Sequence, residues 1–358
     1  MSKRLFLAVG SLICILVLAV PAQKRLKVVL LYDMEGVSGL TKAEATDFDS
    51  KADYEAARTS LTADVNAAIA GLKAGGATEI IVVDGHGSGN SEGPDVFENQ
   101  LLAPAKMISR DRPFDIYMDS YDQSVDAIVA VAMHAGAGNT EGHLSHTYSY
   151  GDVQYKVNGI PFNESMILAM GAARYGIPLI MVSGDDQLEL EVRRYLPTAK
   201  YAVGKHAVDR SMAEPFPREE VNRRIETAAR EALLALDKAR LPEITSAPFR
   251  FALTFQDEQQ AEHAGWLQDA EATPDAATVE IRTNDFEEGY RASLKLISAA
   301  GLVAAYQARQ RVISAQPNAA ALQQSVGAYV TDRWLNRLPA PPKTAASGAA
   351  ARRYWGAR

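Results

Sequence analysis

The chain has 358 residues, of which 47% are hydrophobic and 23% are charged, and its formal net charge is −7. This composition is typical of a soluble globular protein with a sizeable core, and the acidic balance argues against a nucleic acid as a partner. The single cysteine, Cys14, lies in an apolar leader. The mature protein is therefore expected to have no disulfide, and any metal must be held by His, Asp and Glu.

The first residues have the parts of a secretory signal peptide. Lys3 and Arg4 supply positive charge, residues 5–20 are almost wholly apolar, and small residues precede a cleavage point after Ala22. We therefore predict a signal peptide over residues 1–22 and a secreted or periplasmic protein with no stable membrane span after processing. An uncleaved anchor is the alternative, although the apolar run is shorter than the ~20 residues of a typical span.

Apolar runs rich in β-branched residues alternate with helical segments up to about residue 215. Buried strands are predicted at residues 26–33, 78–84, 125–133 and 177–183. Helices are predicted at about 53–74, 163–175 and 188–195, a half-exposed strand at 152–157 and a short strand at 200–203. This alternation indicates a parallel sheet covered on both faces. The predicted fold class is α/β, with a three-layer α/β/α domain over residues 24–215 and a mostly parallel sheet.

The rest of the chain is predicted to form a smaller C-terminal α+β unit. A long helix at about 217–240 precedes a linker marked by prolines, and two strand–helix repeats follow. The helix and these repeats make up a predicted subdomain over residues 216–335. Residues 336–358 are rich in Pro, Ala, Ser and Arg and are predicted to be a disordered tail.

Side chains that can bind metal follow the ends of the predicted parallel strands. Asp33 and Glu35 follow the first strand, Asp84 and His86 the second, and His134 the third. Ligands of open parallel sheets bind outside the carboxyl ends of the strands, so these residues are expected to converge. Imidazole and carboxylate are the ligands that zinc takes where no thiolate exists.

Each of the polar residues also has an interpretation that involves no metal. Asp185 and Asp186 follow a further strand and can instead cap the next helix. Glu164 can be a first-turn acid that the helix dipole favours. His143 lies in an irregular stretch and is interpreted as structural. The metal-site hypothesis therefore rests on the convergence of several strand ends.

The motifs at these strand ends occur as an ordered set. They are Tyr32–Gly39 (YDMEGVSG), Val83–His86, Met133–Ala135, Leu144–Thr147, Val157–Glu164 and Val182–Asp186. Together they resemble the DppA-type D-aminopeptidase family of di-zinc metallopeptidases, over roughly residues 26–300. The first motif is quite specific, and the others are weak singly. The resemblance implies a zinc-dependent aminopeptidase that hydrolyses short peptides, and the expected preference for N-terminal D-residues such as D-Ala rests on it alone.

The resemblance also implies two zinc ions per chain and a set of ligands. Asp33 matches a bridging aspartate. Glu35 and His134 match ligands of one zinc, whereas His86 and Glu164 match ligands of the other.

His146 matches the catalytic histidine of the family, which is described as the nucleophile, although proton transfer would also fit its chemistry. The chain departs from the family pattern at Gly85, at Asn163 and in a longer loop between His134 and His146. These departures remove no ligand, but they leave substrate preference and loop geometry open.

The expected partners are short peptides, including fragments of peptidoglycan, and other copies of the chain in a ring-like homo-oligomer. Two other functions stay open at this point. One is a different di-metal amidase or esterase, and the other is a non-enzymatic periplasmic peptide-binding protein, which would need no intact ligand set. Cobalt or manganese could also occupy such a nitrogen and oxygen site.

Overall fold

The computed structural model describes residues 25–267, 270–339 and 353–356. The predicted signal peptide lies outside these residues. The strands are β1 (Lys27–Tyr32), β2 (Glu79–Asp84), β3 (Ala105–Met107), β4 (Ala127–Met133), β5 (Asp152–Val157), β6 (Ile160–Pro161), β7 (Leu179–Asp185), β8 (Lys200–Asp209), β9 (Met212–Pro215), β10 (Phe249–Phe255), β11 (Glu271–Ala272) and β12 (Thr278–Thr283). The α-helices are α1 (Lys51–Ala74), α2 (Glu164–Ala173), α3 (Asp186–Tyr195), α4 (Arg218–Leu234), α5 (Glu258–Gly265), α6 (Phe286–Ser314) and α7 (Ala319–Trp334).

The larger sheet has seven strands in the order β3-β2-β1-β4-β7-β8-β9. Its neighbours pair in parallel except β8 and β9, which are antiparallel. Side chains of β1 alternate between two cores: Val28 and Leu30 pack with α1 and α4, whereas Val29 and Leu31 pack with α2. Each fully buried aliphatic side chain of this kind contributes roughly 1.5–3 kcal/mol. The α/β fold with a mostly parallel sheet is confirmed.

The smaller sheet has five strands in the order β11-β12-β10-β5-β6, and its neighbouring strands are antiparallel. β10 buries every second residue, Phe249, Phe251, Leu253 and Phe255, which is the pattern of a strand with one covered face. Helix α6 packs so closely on this face that a Cβ at Gly289 would lie 2.1 Å from the Phe251 ring.

The boundaries of the two predicted domains do not coincide with the division of the chain between the two sheets. The β5–β6 hairpin lies within the predicted catalytic domain, yet β5 pairs with β10 of the second sheet. Helix α4 lies within the predicted second unit, yet it packs on α1 beside the large sheet. The half-exposed pattern of residues 152–157 suits the antiparallel sheet, and the apolar stripe of α4 needs the cover that α1 provides.

The end of the chain also differs from the expectation of disorder. Arg353–Gly356 pack against the region around residues 110–116, and Arg110 and Tyr354 form an isolated antiparallel bridge. The remainder of the predicted tail, residues 340–352 and 357–358, lies outside the described residues. No helix within the described ranges has the length and apolar character needed to cross a membrane.

Candidate metal centre

The loop that follows β1 carries two carboxylates to the end of the sheet. Asp33 and Glu35 are 3% and 1% exposed. The amide of Gly36 donates to the carbonyl oxygen of Ala132 at 2.9 Å, which ties this loop to the end of β4. A Cβ at Gly36 would lie 2.0 Å from the carbonyl oxygen of Met133, so only glycine allows this approach. The two loops therefore hold a fixed relative position.

Two buried polar side chains hold the same loop through hydrogen bonds. The Lys205 ammonium on β8 donates to the carbonyl oxygens of Glu35 and Leu40. Asp64 on α1 accepts hydrogen bonds from the amide and the hydroxyl of Ser38, both at 2.9 Å. Burial lowers the pKa of Lys205 to about 8 and raises that of Asp64 to about 6. These groups are costly to bury, and each is satisfied by fixing the loop backbone.

His86 follows β2 and faces the first loop. Its Nε2 lies 3.4 Å from Oε1 of Glu35, and its Nδ1 lies 2.9 Å from Oδ2 of Asp95. Asp95 is completely buried and also accepts hydrogen bonds from Tyr54 and Ser88. A carboxylate that accepts the Nδ1 proton leaves Nε2 as the metal-binding nitrogen and makes it a stronger donor. Asp95 lies in an irregular loop, so no periodicity in the sequence marked it.

His134 follows β4 and turns its ring towards two carboxylates. Nδ1 lies 3.0 Å from the carbonyl oxygen of Ala135, which can only accept a proton, so the lone pair of the neutral ring is on Nε2. Nε2 lies 3.2 Å from Oδ2 of Asp33 and 3.7 Å from Oε1 of Glu164. Its environment is therefore that of an imidazole ligand.

Glu164 is the first residue of α2, and the helix N-terminus favours its negative charge. The helix begins after Asn163, whose side chain accepts a hydrogen bond from the amide of Met166 at 2.9 Å. Both carboxylate oxygens of Glu164 are held. Oε1 accepts from the amide of Tyr148 at 2.6 Å, and Oε2 accepts from the hydroxyl of Tyr117. The interpretations of Glu164 as a first-turn acid and as a metal ligand are therefore compatible.

His146 stacks on His134 with a centroid separation of 4.0 Å and an interplanar angle of 9°. Its Nδ1 lies 2.8 Å from the carbonyl oxygen of Leu144, so Nε2 carries the lone pair of the neutral ring. Burial and the positive charge of His134 lower the pKa of His146. Near neutral pH its Nε2 is therefore an unprotonated base, 4.0 Å from Oε1 of Glu164.

The buried carboxyl and imidazole groups of the cluster shift one another's pKa values. Burial, followed by the charge of Glu35, raises the pKa of Asp33 to about 7. Burial alone would lower the pKa of His134, but the carboxylates of Glu164 and Asp33 outweigh it and raise that pKa to about 10. A cation that binds here takes the place of these protons, so its affinity rises with pH.

The residues fit a metal by their unsatisfied atoms as well as by their chemistry. Among the described residues, Nε2 of His134 and Oε2 of Glu35 are buried without a hydrogen-bond partner. Such orphans are rare in folded proteins and suit a bound ion. Two sets of ligand atoms each lie within 4.8 Å of one another, namely Asp33, Glu35 and His134, and His134, Glu164 and His146. Imidazole and carboxylate together match the preferences of zinc.

The distances group the ligands in two ways: Glu35 belongs to one ligand set with Asp33 and His134, as the resemblance implies, and it also lies close to His86. The close pairs are Glu35 with His86 at 3.4 Å, and His134 with Glu164 at 3.7 Å. Asp33 belongs to one ligand set with Glu35 and His134, as a bridging residue would. All six residues predicted for the site, His146 included, lie together in this cluster. Their roles as ligands and catalyst stay predictions.

The other polar residues at the strand ends have structural contacts. Asp84 accepts hydrogen bonds from the amides of His86 and Asp95 at 3.1 and 2.8 Å. Asp185 caps α3 by accepting from the amides of Gln187 and Leu188. His143 is fully buried and its amide donates to Oδ2 of Asp185 at 2.9 Å, while burial together with the charge of Lys205 lowers the pKa of its ring to about 4.

A cavity of about 440 Å³ opens onto the cluster, within the usual range for small-molecule sites. Its lining includes five of the predicted site residues: Asp33, Glu35, His86, Glu164 and His146. Its walls include the aromatic side chains of Tyr117, Tyr148 and Tyr150, and the C-terminal segment Arg353–Gly356. The sequence did not indicate these wall residues, because they lie outside the strand-end pattern.

Comparisons with known proteins agree with this geometry. A family model of peptidases described as D-aminopeptidase matches residues 26–294. A D-aminopeptidase of Bacillus subtilis (strain 168) is 28% identical over 270 residues, which cover 75% of this chain and 96% of that protein. A solved structure described as the Zn-dependent D-aminopeptidase DppA from Bacillus subtilis, a self-compartmentalizing protease, aligns with a TM-score of 0.70 and 27% identity. That alignment covers 77% of this chain and 98% of the other.

Proposed function

The chain belongs to the D-aminopeptidase family of peptidases, and on this premise we propose that it is a zinc-dependent aminopeptidase that hydrolyses short peptides with an N-terminal D-amino acid. The observation that carries the proposal is the buried cluster of carboxylates and imidazoles beside a cavity of peptide-binding size. Two of its buried polar atoms, Nε2 of His134 and Oε2 of Glu35, have no hydrogen-bond partner among the described residues. A cation that they bind completes the cluster.

We propose that Asp33, Glu35, His86, His134 and Glu164 would hold two zinc ions per chain, with Glu35 and His86 as one close pair and His134 and Glu164 as the other. The support for two is the number of donors, since the close pairs on either side of Asp33 involve different residues. Zinc at such a position lowers the pKa of a water molecule and polarises a carbonyl oxygen.

The side chains have separate tasks in the proposed reaction. A carboxylate or a zinc ion on the deep side of the cavity would hold the free amino group of a peptide, which would place its first peptide bond at the centre. His146 has a lowered pKa and an available Nε2, so it can accept a proton from the attacking group and return it to the leaving amine. Tyr117 and the amide of Tyr148 fix Glu164 and keep the second pair of ligands in place.

The proposed function is tested by hydrolysis of D-Ala-D-Ala and of L-Ala-L-Ala by the purified mature protein, with metal analysis of the same sample. We expect release of D-Ala, slower cleavage of the L-dipeptide, and about two zinc ions per chain. Two metals with cleavage of neither dipeptide would retain a metal hydrolase and reject the substrate. The absence of both metal and activity, even after zinc is added, would point to a binding protein on the same fold.

The proposal extends to the cellular setting of the enzyme. A secreted protein of this type would meet peptidoglycan fragments, and the apolar leader after Lys3 and Arg4 supports secretion. We also propose a homo-oligomer, because α6 and α7 expose large apolar side chains, among them Leu302 at 75% and Trp334 at 78% exposure. Sedimentation of the mature protein as a single monomeric species would reject the assembly.

A further inference from the structure

The C-terminal segment Arg353–Gly356 forms part of the cavity wall, and the proposed reaction gives it no role. The family match ends at residue 294, so the matched region does not include this segment. Its backbone is held in register: Tyr354 and Arg110 exchange amide-to-carbonyl hydrogen bonds, both 2.8 Å, and the amide of Phe114 donates to the carbonyl oxygen of Gly356 at 3.2 Å. The segment therefore has a defined place beside the metal centre.

Gly356 shows how closely the segment fits. It is buried, and a Cβ built on it would lie 2.8 Å from Cγ2 of Ile116 and 3.2 Å from the carbonyl oxygen of Asp84. Asp84 is the last residue of β2, and it also accepts a hydrogen bond from the amide of His86. The segment thus packs directly on the loop that supplies one of the proposed ligands.

The charges around the cavity are strongly asymmetric. Asp33, Glu35, Asp84 and Glu164 line it on the side of the metal centre. Among the described residues that line it, Arg353 is the only lysine or arginine. Arg353 is exposed, and the structure gives its guanidinium no hydrogen bond or ion pair with another described residue. The cavity therefore has the proposed metal centre on one side and an arginine in its wall.

A short peptide whose first peptide bond lies at the metal centre carries a free carboxylate at its other end, which suits an arginine in the cavity wall. We propose that Arg353 binds the C-terminal carboxylate of the substrate and makes the enzyme selective for short peptides with a free carboxyl end. The proposal rests on the proposed aminopeptidase function. Guanidinium suits this task, because its planar set of donors matches a carboxylate in a bidentate geometry.

The expected kinetic signature is a change in binding. Arg353 would contact a part of the substrate that does not react, so its interaction is the same in the ground state and in the transition state. Loss of the guanidinium should then raise KM and leave kcat nearly unchanged. Because Arg353 is exposed, its contribution should weaken as salt concentration rises.

The test compares D-Ala-D-Ala with its C-terminal amide, which has the same peptide bond and no carboxylate. We expect Arg353→Ala in the zinc-loaded protein to raise KM for the free acid about five- to tenfold and to change KM for the amide less than twofold. Arg353→Lys should retain part of the preference. Arg309→Ala, which removes an exposed arginine from α6, is the matched control and should change neither substrate.

A second variant tests the position of the segment and not its charge. Gly356→Val cannot fit against Ile116, so it should displace the segment and produce the same selective rise in KM. An equal effect of Arg353→Ala on acid and amide, or no effect on either, would overturn the proposal while the aminopeptidase activity stands. If the unmodified enzyme cleaves neither compound, the proposed function itself fails, and this inference fails with it.

Discussion

The two sides of the proposed metal centre, Glu35 with His86 and His134 with Glu164, contain the same kinds of donor but are supported in different ways. On the first side, the Nδ1 of His86 faces the carboxylate of Asp95, which itself accepts hydrogen bonds from two further hydroxyl groups. On the second side, the Nδ1 of His134 faces the backbone carbonyl oxygen of Ala135, and the ring stacks on His146. A carboxylate partner makes an imidazole more basic than a carbonyl partner does. The basicity of the imidazole on the first side can therefore be changed by substituting a side chain, whereas on the second side it is set by the backbone.

The largest effects should come from removing one ligand on each side. Glu35→Ala on the first side and His134→Ala on the second should each abolish measurable turnover of D-Ala-D-Ala, because each removes a residue that would hold zinc, whose chemistry would be to activate water and polarise a carbonyl group. Each variant should also lose about one zinc per chain, measured by metal analysis of dialysed protein. A variant that keeps full activity after the loss of one zinc would contradict the two-metal arrangement.

His146→Ala is the control for these two variants, since it should separate catalysis from metal binding. We expect turnover to fall about 10²–10⁴-fold, as for loss of a general acid–base group, while the zinc content stays that of the unmodified protein. A loss of zinc would make His146 a ligand, in keeping with its position in a ligand set with His134 and Glu164.

An intermediate effect is expected from Asp95→Asn, which alters the support of the first side alone. The amide is a weaker acceptor for the Nδ1 proton of His86, so the affinity for one zinc should fall about 10–100-fold. Competition with a chelator measures this change. Tyr54→Phe removes another hydrogen bond to Asp95 without touching His86, and it should leave the affinity within about threefold. Equal weakening of both zinc ions would remove the distinction between the two sides.

The smallest effect on turnover is expected at Asp64, which fixes the loop of the first side from a distance. Its pKa is raised by burial from 3.8 to about 6. The unfolded chain therefore loses this proton at lower pH than the folded chain does. The stability that Asp64 contributes is complete below about pH 4 and is lost as the pH rises through about 6.

The asparagine side chain of the variant Asp64→Asn is neutral, as the protonated acid is. The variant should therefore not lose this stability as the pH rises. The free energy of unfolding of the variant, relative to the unmodified protein, should rise by up to about 3 kcal/mol between pH 4 and 7. Urea unfolding of both metal-free proteins at the two pH values measures the difference. Asp53→Asn on the exposed side of α1 should show no such change, and a pH-independent effect of Asp64→Asn would contradict the argument.

The convergence of the proposed ligands could be predicted from the sequence, because residues at the ends of parallel strands follow recognisable apolar runs. β1, β2, β4 and β7 are near-continuous apolar runs, and a parallel sheet brings their carboxyl ends to one edge. Asp33, His86 and His134 stand at these ends. Glu164 was found in a different way, as an acid in the first turn of a helix, and the resemblance was needed to give it a role.

The supporting residues could not be predicted, because their contacts are long-range and have no period. Lys205 lies 170 positions from Glu35 in the chain, yet it holds the backbone of that residue. Arg353 reaches the cavity from a stretch whose composition indicates disorder. The division into domains met the same limit, since β5 and β10 pair although the partners Val157 and Phe251 lie 94 positions apart in the chain. Residues at strand ends can be located from local sequence patterns, whereas the residues that support them are determined by tertiary packing.

Gly36 has a consequence for anyone who would transplant this centre into another scaffold. It has no functional group, yet a single added carbon would collide with the Met133 carbonyl oxygen at 2.0 Å and push apart the loops that carry Asp33 and His134. A graft that copies only the ligating side chains would reproduce the chemistry of the donors and lose the spacing between them. The minimal transferable unit therefore includes an empty position, and the absence of a side chain there is as much a part of the metal site as the ligands are.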